Sequence, residues 1–435
     1  MTIRTDNTPI SEFGPPDTVK RNFNLGVANG ILYLIAENLM DPTLVIAVFL
    51  SQLTSSDLLI GLIIPIRDGL WSIPQLWMSG YLQNLARKMD LFRKVSIIRF
   101  FCWLLLAIEI NFISDPTILL VSFMVTFTIV CLAAGLSGLA WMEIVSKTIP
   151  SEQRGKFFAL RLGISGFFNI GFSLFVRWLL SAQSGFQFPH NFGILSILYF
   201  LFASTALWAF AMIKEPEETH TLPIQPIHIL LKRSINIFKG DKVYRNFVFL
   251  LSLMSIGGMA TPFFAIYVQQ NLGGDPSMVG IYLGVSVVSN LAANILFGRI
   301  SLVYGNRRVM VISILSGALM SLMVLALVFL AAPLHISAAA ASLWLIPVFI
   351  LFGLRGTGYT ISSNCITLDI SPSKERSLYV GFINSMTGLV ILATGLSGVI
   401  KDLLGMEILL LFTFCAHLLS LYLASTIKTK RSALR

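Results

Sequence analysis

The chain has 435 residues, of which 55% are hydrophobic and only 12% charged, with a formal charge of +10 at neutral pH and a mean hydropathy of +0.80. A soluble domain carries roughly 25% charged residues, so the composition excludes a soluble fold and calls for a lipid bilayer. The four cysteines, Cys102, Cys131, Cys365 and Cys415, lie in apolar stretches without a shared short spacing, which predicts neither a disulfide framework nor a zinc site.

The first 22 residues carry six charges and no apolar core, so a cytoplasmic tail is expected over 1–22 instead of a cleavable signal peptide. Apolar runs of about 20 residues, enough to cross the hydrocarbon core, then predict twelve helical spans. Spans 1 to 6 fall at 23–50, 56–82, 95–113, 117–142, 157–181 and 192–213, and spans 7 to 12 at 246–270, 277–300, 309–331, 341–368, 377–400 and 405–427. The implied domains are a first bundle over 23–213, a connecting segment over 214–245, a second bundle over 246–427 and a tail over 428–435. In the connecting segment Ile227, Leu230, Leu231, Ile235 and Phe238, flanked by Lys232, Arg233 and Lys239, follow helical spacing and predict a short helix lying on the membrane surface.

One run of landmarks occurs twice. Pro42, Gly61, Gly80, Arg87–Lys88, Pro150 and Arg154 are followed 218 to 222 residues later by Pro262, Gly280, Gly298, Arg307–Arg308, Pro372 and Arg376. The Pro-to-Gly and Gly-to-Gly steps are 19 residues in the first set, except that both shorten to 18 in the second. Each step is about one membrane crossing, so the pattern predicts two pseudo-symmetric six-helix bundles in an all-α integral membrane fold. Nearly all Lys and Arg residues fall in loops on the side of the termini, and the opposite loops hold Lys401 alone. That asymmetry predicts cytoplasmic termini in a multi-pass protein of the inner (plasma) membrane, and it accounts for the net charge without a nucleic-acid partner.

Ionisable residues deep inside spans are costly and usually face a cavity. Span 1 carries Glu37 and Asp41, span 2 carries Arg67–Asp68, and span 10 carries Arg355 between glycines. Glu37, Asp41 and Asp68 are candidates for proton coupling with Arg67 as their charge partner; a static ion network is the competing reading. Arg355 wants an anion or a carboxylate from the other bundle, so it reads as a substrate anchor or an interdomain latch. In span 5, Arg161, Ser165, Asn169, Ser173 and Arg177 recur every fourth residue, which lines one face for a cavity or a helix contact. Further cavity-lining candidates are Tyr33, Trp71, Gln75, Tyr282, Asn290 and Tyr359. Pro42, Pro65, Pro74 and Pro262 are natural bending points.

The loop after span 8 reads Gly298-Arg299, then Tyr304-Gly305-Asn306-Arg307-Arg308, and a weaker copy follows span 2 as Gly80, Asn84, Arg87 and Lys88. With the Pro150–Gly155 and Pro372–Arg376 turns, the chain resembles the major facilitator superfamily along its whole length. It departs from that family's loop signature at Asn84 and Leu302, which stand where an acid is usual. The resemblance implies alternating access, with Gly80, Arg87, Lys88, Gly298, Gly305, Arg307 and Arg308 in gating loops where small residues let helices approach. It implies a monomeric secondary transporter without cofactors, moving a small molecule with protons, and bacterial members favour export of drugs or metabolites. Uptake of a small anionic metabolite through Arg355 and a lipid-handling or scaffold protein are the alternatives. Five scattered histidines, no phosphate-binding loop and no nucleophile motif argue against an enzyme or a metal site.

Overall fold

The computed structural model describes residues 15–82, 84–217, 226–372 and 375–427. The expected N-terminal tail up to residue 14, positions 218–225 of the connecting segment, Lys374 and the expected tail 428–435 lie outside the described residues. Those described are helical with no strand, and each of the twelve predicted spans falls on helix. Lipid offers no hydrogen bonds to a bare backbone, so helices that satisfy their own N–H and C=O groups are the required solution.

Among the described residues, nine stretches are long and apolar enough to cross a membrane. Spans 2 and 7 are not among them because each is broken into shorter helices, and the stretch Leu378–Thr426 contains both span 11 and span 12, divided at Gly405 with φ 88°. Proline causes the main breaks. Span 1 runs as Pro16–Leu39, then a π-helical turn Pro42–Ile46, then Ala47–Leu53. Pro42 has no N–H to donate, and the Asp41 carboxylate accepts from Thr43 N at 3.0 Å and Leu44 N at 2.9 Å, capping the resumed helix. Span 7 breaks at the matching place, between Ile256 and Phe263, through a turn that ends at Pro262. Span 2 widens into a π turn at Pro65–Gly69, and this segment carries Arg67 and Asp68.

The halves meet where span 2 packs on span 11 and span 5 on span 8. The repeated glycines explain the fit. A methyl group on Gly61 would stand 2.9 Å from Ser397 Oγ and 3.0 Å from Gly398 N, and one on Gly280 would strike the backbone of Ser173 and Arg177. Gly61 and Gly280 are therefore the equivalent close approaches of the two halves. The span 5 stripe turns to span 1. Arg161 donates to Gly26 O at 3.2 Å, Asn169 donates to Leu34 O at 3.2 Å, and Ser173 accepts from Asn38 at 3.4 Å.

The connecting segment forms the helix Ile227–Gly240. Leu230 packs on Leu378, and Phe238 packs on Phe249 and Phe382. Ile227, Leu231 and Ile235, one turn apart from each other, stay exposed along its outer side.

At the end opposite the basic loops, Lys401, just past span 11, pairs with Asp57 of span 2, and its ammonium lies 5.2 Å from the Phe263 ring centre. Both charged side chains are largely buried, so removing one partner strands the other at a cost of about 3–5 kcal/mol. In a background without native cysteines, Lys401→Ala should raise labelling of Thr261→Cys by an impermeant thiol reagent added from that face. The charge-swapped pair Asp57→Lys, Lys401→Asp should restore protection. An unchanged labelling rate in Lys401→Ala would show that the pair does not hold that end closed.

Candidate functional site

A cavity of about 300 Å³ lies between the two halves. Span 1 supplies Asp41, Pro42 and Thr43; span 2 supplies Ile64, Arg67 and Asp68; and spans 7, 10 and 11 close it with residues that include Gly258, Thr261, Arg355, Tyr359 and Thr394. A second cavity of about 340 Å³ is lined only by residues of the first half, among them Tyr33, Glu37 and Trp71. Pro42, Arg67 and Asp68 line both.

Arg67 organises the first half's charges. One side of its fork pairs with Glu37 and the other with Asp68 Oδ1 at 2.9 Å, while Tyr199 donates to Glu37 Oε1 at 3.5 Å. Two carboxylates occupy the guanidinium, as its planar donor geometry allows. Asp41 is not in that ion pair; its carboxylate is held by backbone N–H groups of its own turn and faces the central cavity.

Arg355 is held differently. Its Nη2 donates to Met254 O at 2.6 Å and its Nε to His417 Nε2 at 3.3 Å. His417 Nδ1 lies 2.8 Å from Thr413 O. A carbonyl only accepts and a guanidinium only donates, so the imidazole carries its single proton on Nδ1 and presents a lone pair to Arg355. No carboxylate among the described residues pairs with Arg355, and its charge faces the cavity. Three glycines make room for this arrangement. A methyl group on Gly257 would stand 2.5 Å from His417 Cε1, one on Gly258 would stand 2.7 Å from Arg355 Nη2, and one on Gly317 would collide with His417 Nε2.

The structure thus brings Asp41, Arg67, Asp68, Arg355 and Tyr359 to one cavity, and places Tyr33, Glu37 and Trp71 around the neighbouring one. Six residues expected to line a cavity line neither of these two, and most of them make contacts within or between helices instead. Gln75 accepts from Asn384 at 2.6 Å across the two halves. Asn169 and Ser173 contact span 1, and Arg177 is exposed at the end of span 5. Tyr282 donates to Ser342 O at 2.9 Å and stacks on Phe349, and Asn290 accepts from Thr357 at 3.0 Å.

In the basic loops, the Glu215 carboxylate accepts from the Lys88 and Met89 N–H groups at 3.1 and 2.7 Å and pairs with Lys147 at 3.0 Å. Arg87 pairs with Glu217 at 2.8 Å, and Lys88 lies 4.0 Å from Glu143. In the second half Asn306 donates to Asp369 at 3.4 Å, Arg307 donates to Ser425 O at 3.0 Å, and Arg308 lies over the Tyr304 ring. Gly305 takes φ 89°, a turn conformation suited to glycine. Gly80 is buried. Gly298 does not serve as a close-approach point, since a methyl group there would meet nothing within 4 Å.

Two polar residues in this region escaped the sequence reading. His417 sits in the apolar run of span 12, and Arg99 sits in span 3 one turn before Trp103. The signal for Arg99 was that helical i, i+4 step to an aromatic residue.

The chain is a helical bundle with charges gathered around a cavity between two repeated halves. Residues 247–433 match the family model described as Major Facilitator Superfamily. The fold is similar to a solved D-xylose-proton symporter, with TM-score 0.69 and 14% identity over 95% of this chain and 99% of that one. It is also similar to a mutant of the nucleoside transporter NupG, with TM-score 0.68 and 13% identity over 93% and 99%. The partially occluded inward open form of the xylose transporter XylE from E. coli matches with TM-score 0.66 and 14% identity over 96% and 99%. No curated protein sequence matches the chain. Residues 247–433 are thus similar to that family, and the whole chain shares the fold of these solved transporters.

If His417 holds Arg355, the two should be energetically coupled. His417→Phe should lower stability by about 1–3 kcal/mol, measured by unfolding in detergent, because it leaves a buried donor without its acceptor. The same change in an Arg355→Met background should cost much less. Equal losses in the two backgrounds would show that the residues act independently.

Proposed function

We propose that this protein is a secondary transporter of the Major Facilitator Superfamily that works by proton-coupled alternating access around the central cavity, exporting drug-like compounds or metabolites, with Asp41 as the coupling acid. The observation that carries the reading is the division of labour at Arg67. Glu37 and Asp68 occupy its fork, so Asp41 faces the cavity bonded only to backbone N–H groups. Such a carboxylate exchanges a proton without first breaking an ion pair, and a change in cavity wetting alters its proton affinity. Glu37 and Asp68 then serve as the relay through Arg67.

In this reading the bundles 23–213 and 246–427 rock as bodies about the paired breaks at Pro42 and Pro262. The contacts of Arg87, Lys88, Arg307 and Arg308 are remade as the basic end opens. The distribution of basic residues supports cytoplasmic termini and insertion in the plasma membrane. Export is supported by the resemblance to bacterial members of the family. Uptake of a small anion is the second reading, favoured by the uncompensated charge of Arg355.

Proteoliposomes with an imposed pH gradient and a compound library test the reading. Asp41→Asn should abolish gradient-driven flux while sparing exchange of cargo at equal pH, and Glu37→Gln should weaken the dependence on the gradient. Transport with unchanged pH dependence in both variants would overturn proton coupling. For the second reading, Arg355→Lys should weaken uptake of an anionic cargo and Arg355→Ala should weaken it further, since the planar fork is lost. Accumulation driven only into the lumen facing away from the termini supports export, and the reverse supports uptake.

A further inference from the structure

The cavity inside the first half is a different kind of site from the central one. No described residue of the second half lines it, and its volume of about 340 Å³ falls within the range of ligand pockets. Its distinguishing group is Arg99, which is 6% exposed. Nη2 donates to the Tyr33 hydroxyl at 2.9 Å, Nη1 to Ser137 Oγ at 3.4 Å, and Nε has no partner. The guanidinium carbon lies 4.7 Å from the Trp103 ring centre and 5.5 Å from that of Tyr33. Its contacts are therefore neutral hydroxyls and ring faces. The acids of the chamber, Glu37 and Asp68, are both held by Arg67.

A buried guanidinium with an unmet donor and no carboxylate in direct contact is costly in a low-dielectric interior, and an acidic group that accepts from it lowers that cost. The rest of the chamber wall is apolar and aromatic, with Phe123, Phe127, Leu106 and Ile46. A cationic ligand would need a free acid, which the chamber lacks, and a small inorganic anion would leave the aromatic wall uncovered.

We infer that the first bundle contains its own binding site for an aromatic organic anion, with the acid group on Arg99 and the ring system against Trp103 and the phenylalanines. Arg67 and Asp68 form the wall shared with the central cavity, so an occupant of this chamber touches the same ion network that faces the transport route. The site is independent of the direction and coupling of transport.

The test is direct binding to the purified full-length protein in nanodiscs. The probes are 2-naphthoate, its neutral relative 2-naphthamide and the cation 2-naphthylmethylamine, followed by equilibrium dialysis and by quenching of tryptophan fluorescence. Wild-type protein should bind 2-naphthoate saturably and the other two much more weakly. Arg99→Gln should weaken naphthoate binding by about tenfold or more, the scale of a lost charge-assisted hydrogen bond. Ala134→Phe, which fills the chamber from span 4, should abolish binding while leaving the elution profile and Tm of a folded protein. No saturable binding by the wild type, equal binding by Arg99→Gln, or undiminished binding by a folded Ala134→Phe would each overturn the site. Loss in Arg355→Gln with retention in Arg99→Gln would place the anion in the central cavity and overturn it as well. None of these readouts depends on proton coupling, so a failure here leaves the role of Asp41 to be judged separately by flux.

Discussion

A charge buried at the depth of the hydrocarbon must be matched within the protein, and much of the site follows from how each charge is matched. Arg67 is matched by two carboxylates, which ties spans 1 and 2 together. Among the described residues, Arg355 is matched by a carbonyl and a neutral imidazole and by no carboxylate. The two cations nearest the centre therefore differ in kind: one belongs to a closed ion network, the other offers its charge to the cavity. Arg99 completes the contrast, with ring faces and hydroxyls in place of a counter-ion.

The same economy governs the backbone. Helices that satisfy their own hydrogen bonds are the only segments lipid tolerates, so every interruption needs a local substitute. At Pro42 the substitute is the Asp41 carboxylate, which accepts the two N–H groups that the break exposes. One residue thereby does structural and chemical service: it caps the resumed helix and faces the central cavity. The break in span 7 has no acid at the matching place, where Thr261 bonds to Gly258 O at 2.7 Å instead. This asymmetry concentrates ionisable groups in the first half while leaving the two halves architecturally alike.

Close approach between the halves depends on small residues rather than on charge. Gly61 against Gly398 and Gly280 against Ser173 bring backbones together in spans 2 and 11 and in spans 5 and 8. Polar contacts then mark positions along the seam between spans 2 and 11, from Asp57 with Lys401 at one end to Gln75 with Asn384 toward the other. Packing without a hydrophobic driving force relies on such surfaces, because lipid tails compete equally for apolar side chains.

The sequence by itself determined the class of fold, since length, hydropathy and a landmark run repeated at about 220 residues leave few alternatives to a duplicated helical membrane bundle. It also located Glu37, Asp41, Arg67, Asp68 and Arg355, because a charge in an apolar run is conspicuous wherever it ends up in space. What it did not decide was pairing. Whether Arg67 takes Glu37 or Asp41 depends on the rotation of two broken helices, and local pattern does not encode that angle. The regular polar stripe of span 5 was legible as a face, yet only packing showed that it faces span 1 and not a cavity. His417 and Arg99 acquired their significance from partners 62 and 66 residues away in the chain, Arg355 and Tyr33. Periodicity reports which residues share a face; only the tertiary structure decides what that face meets.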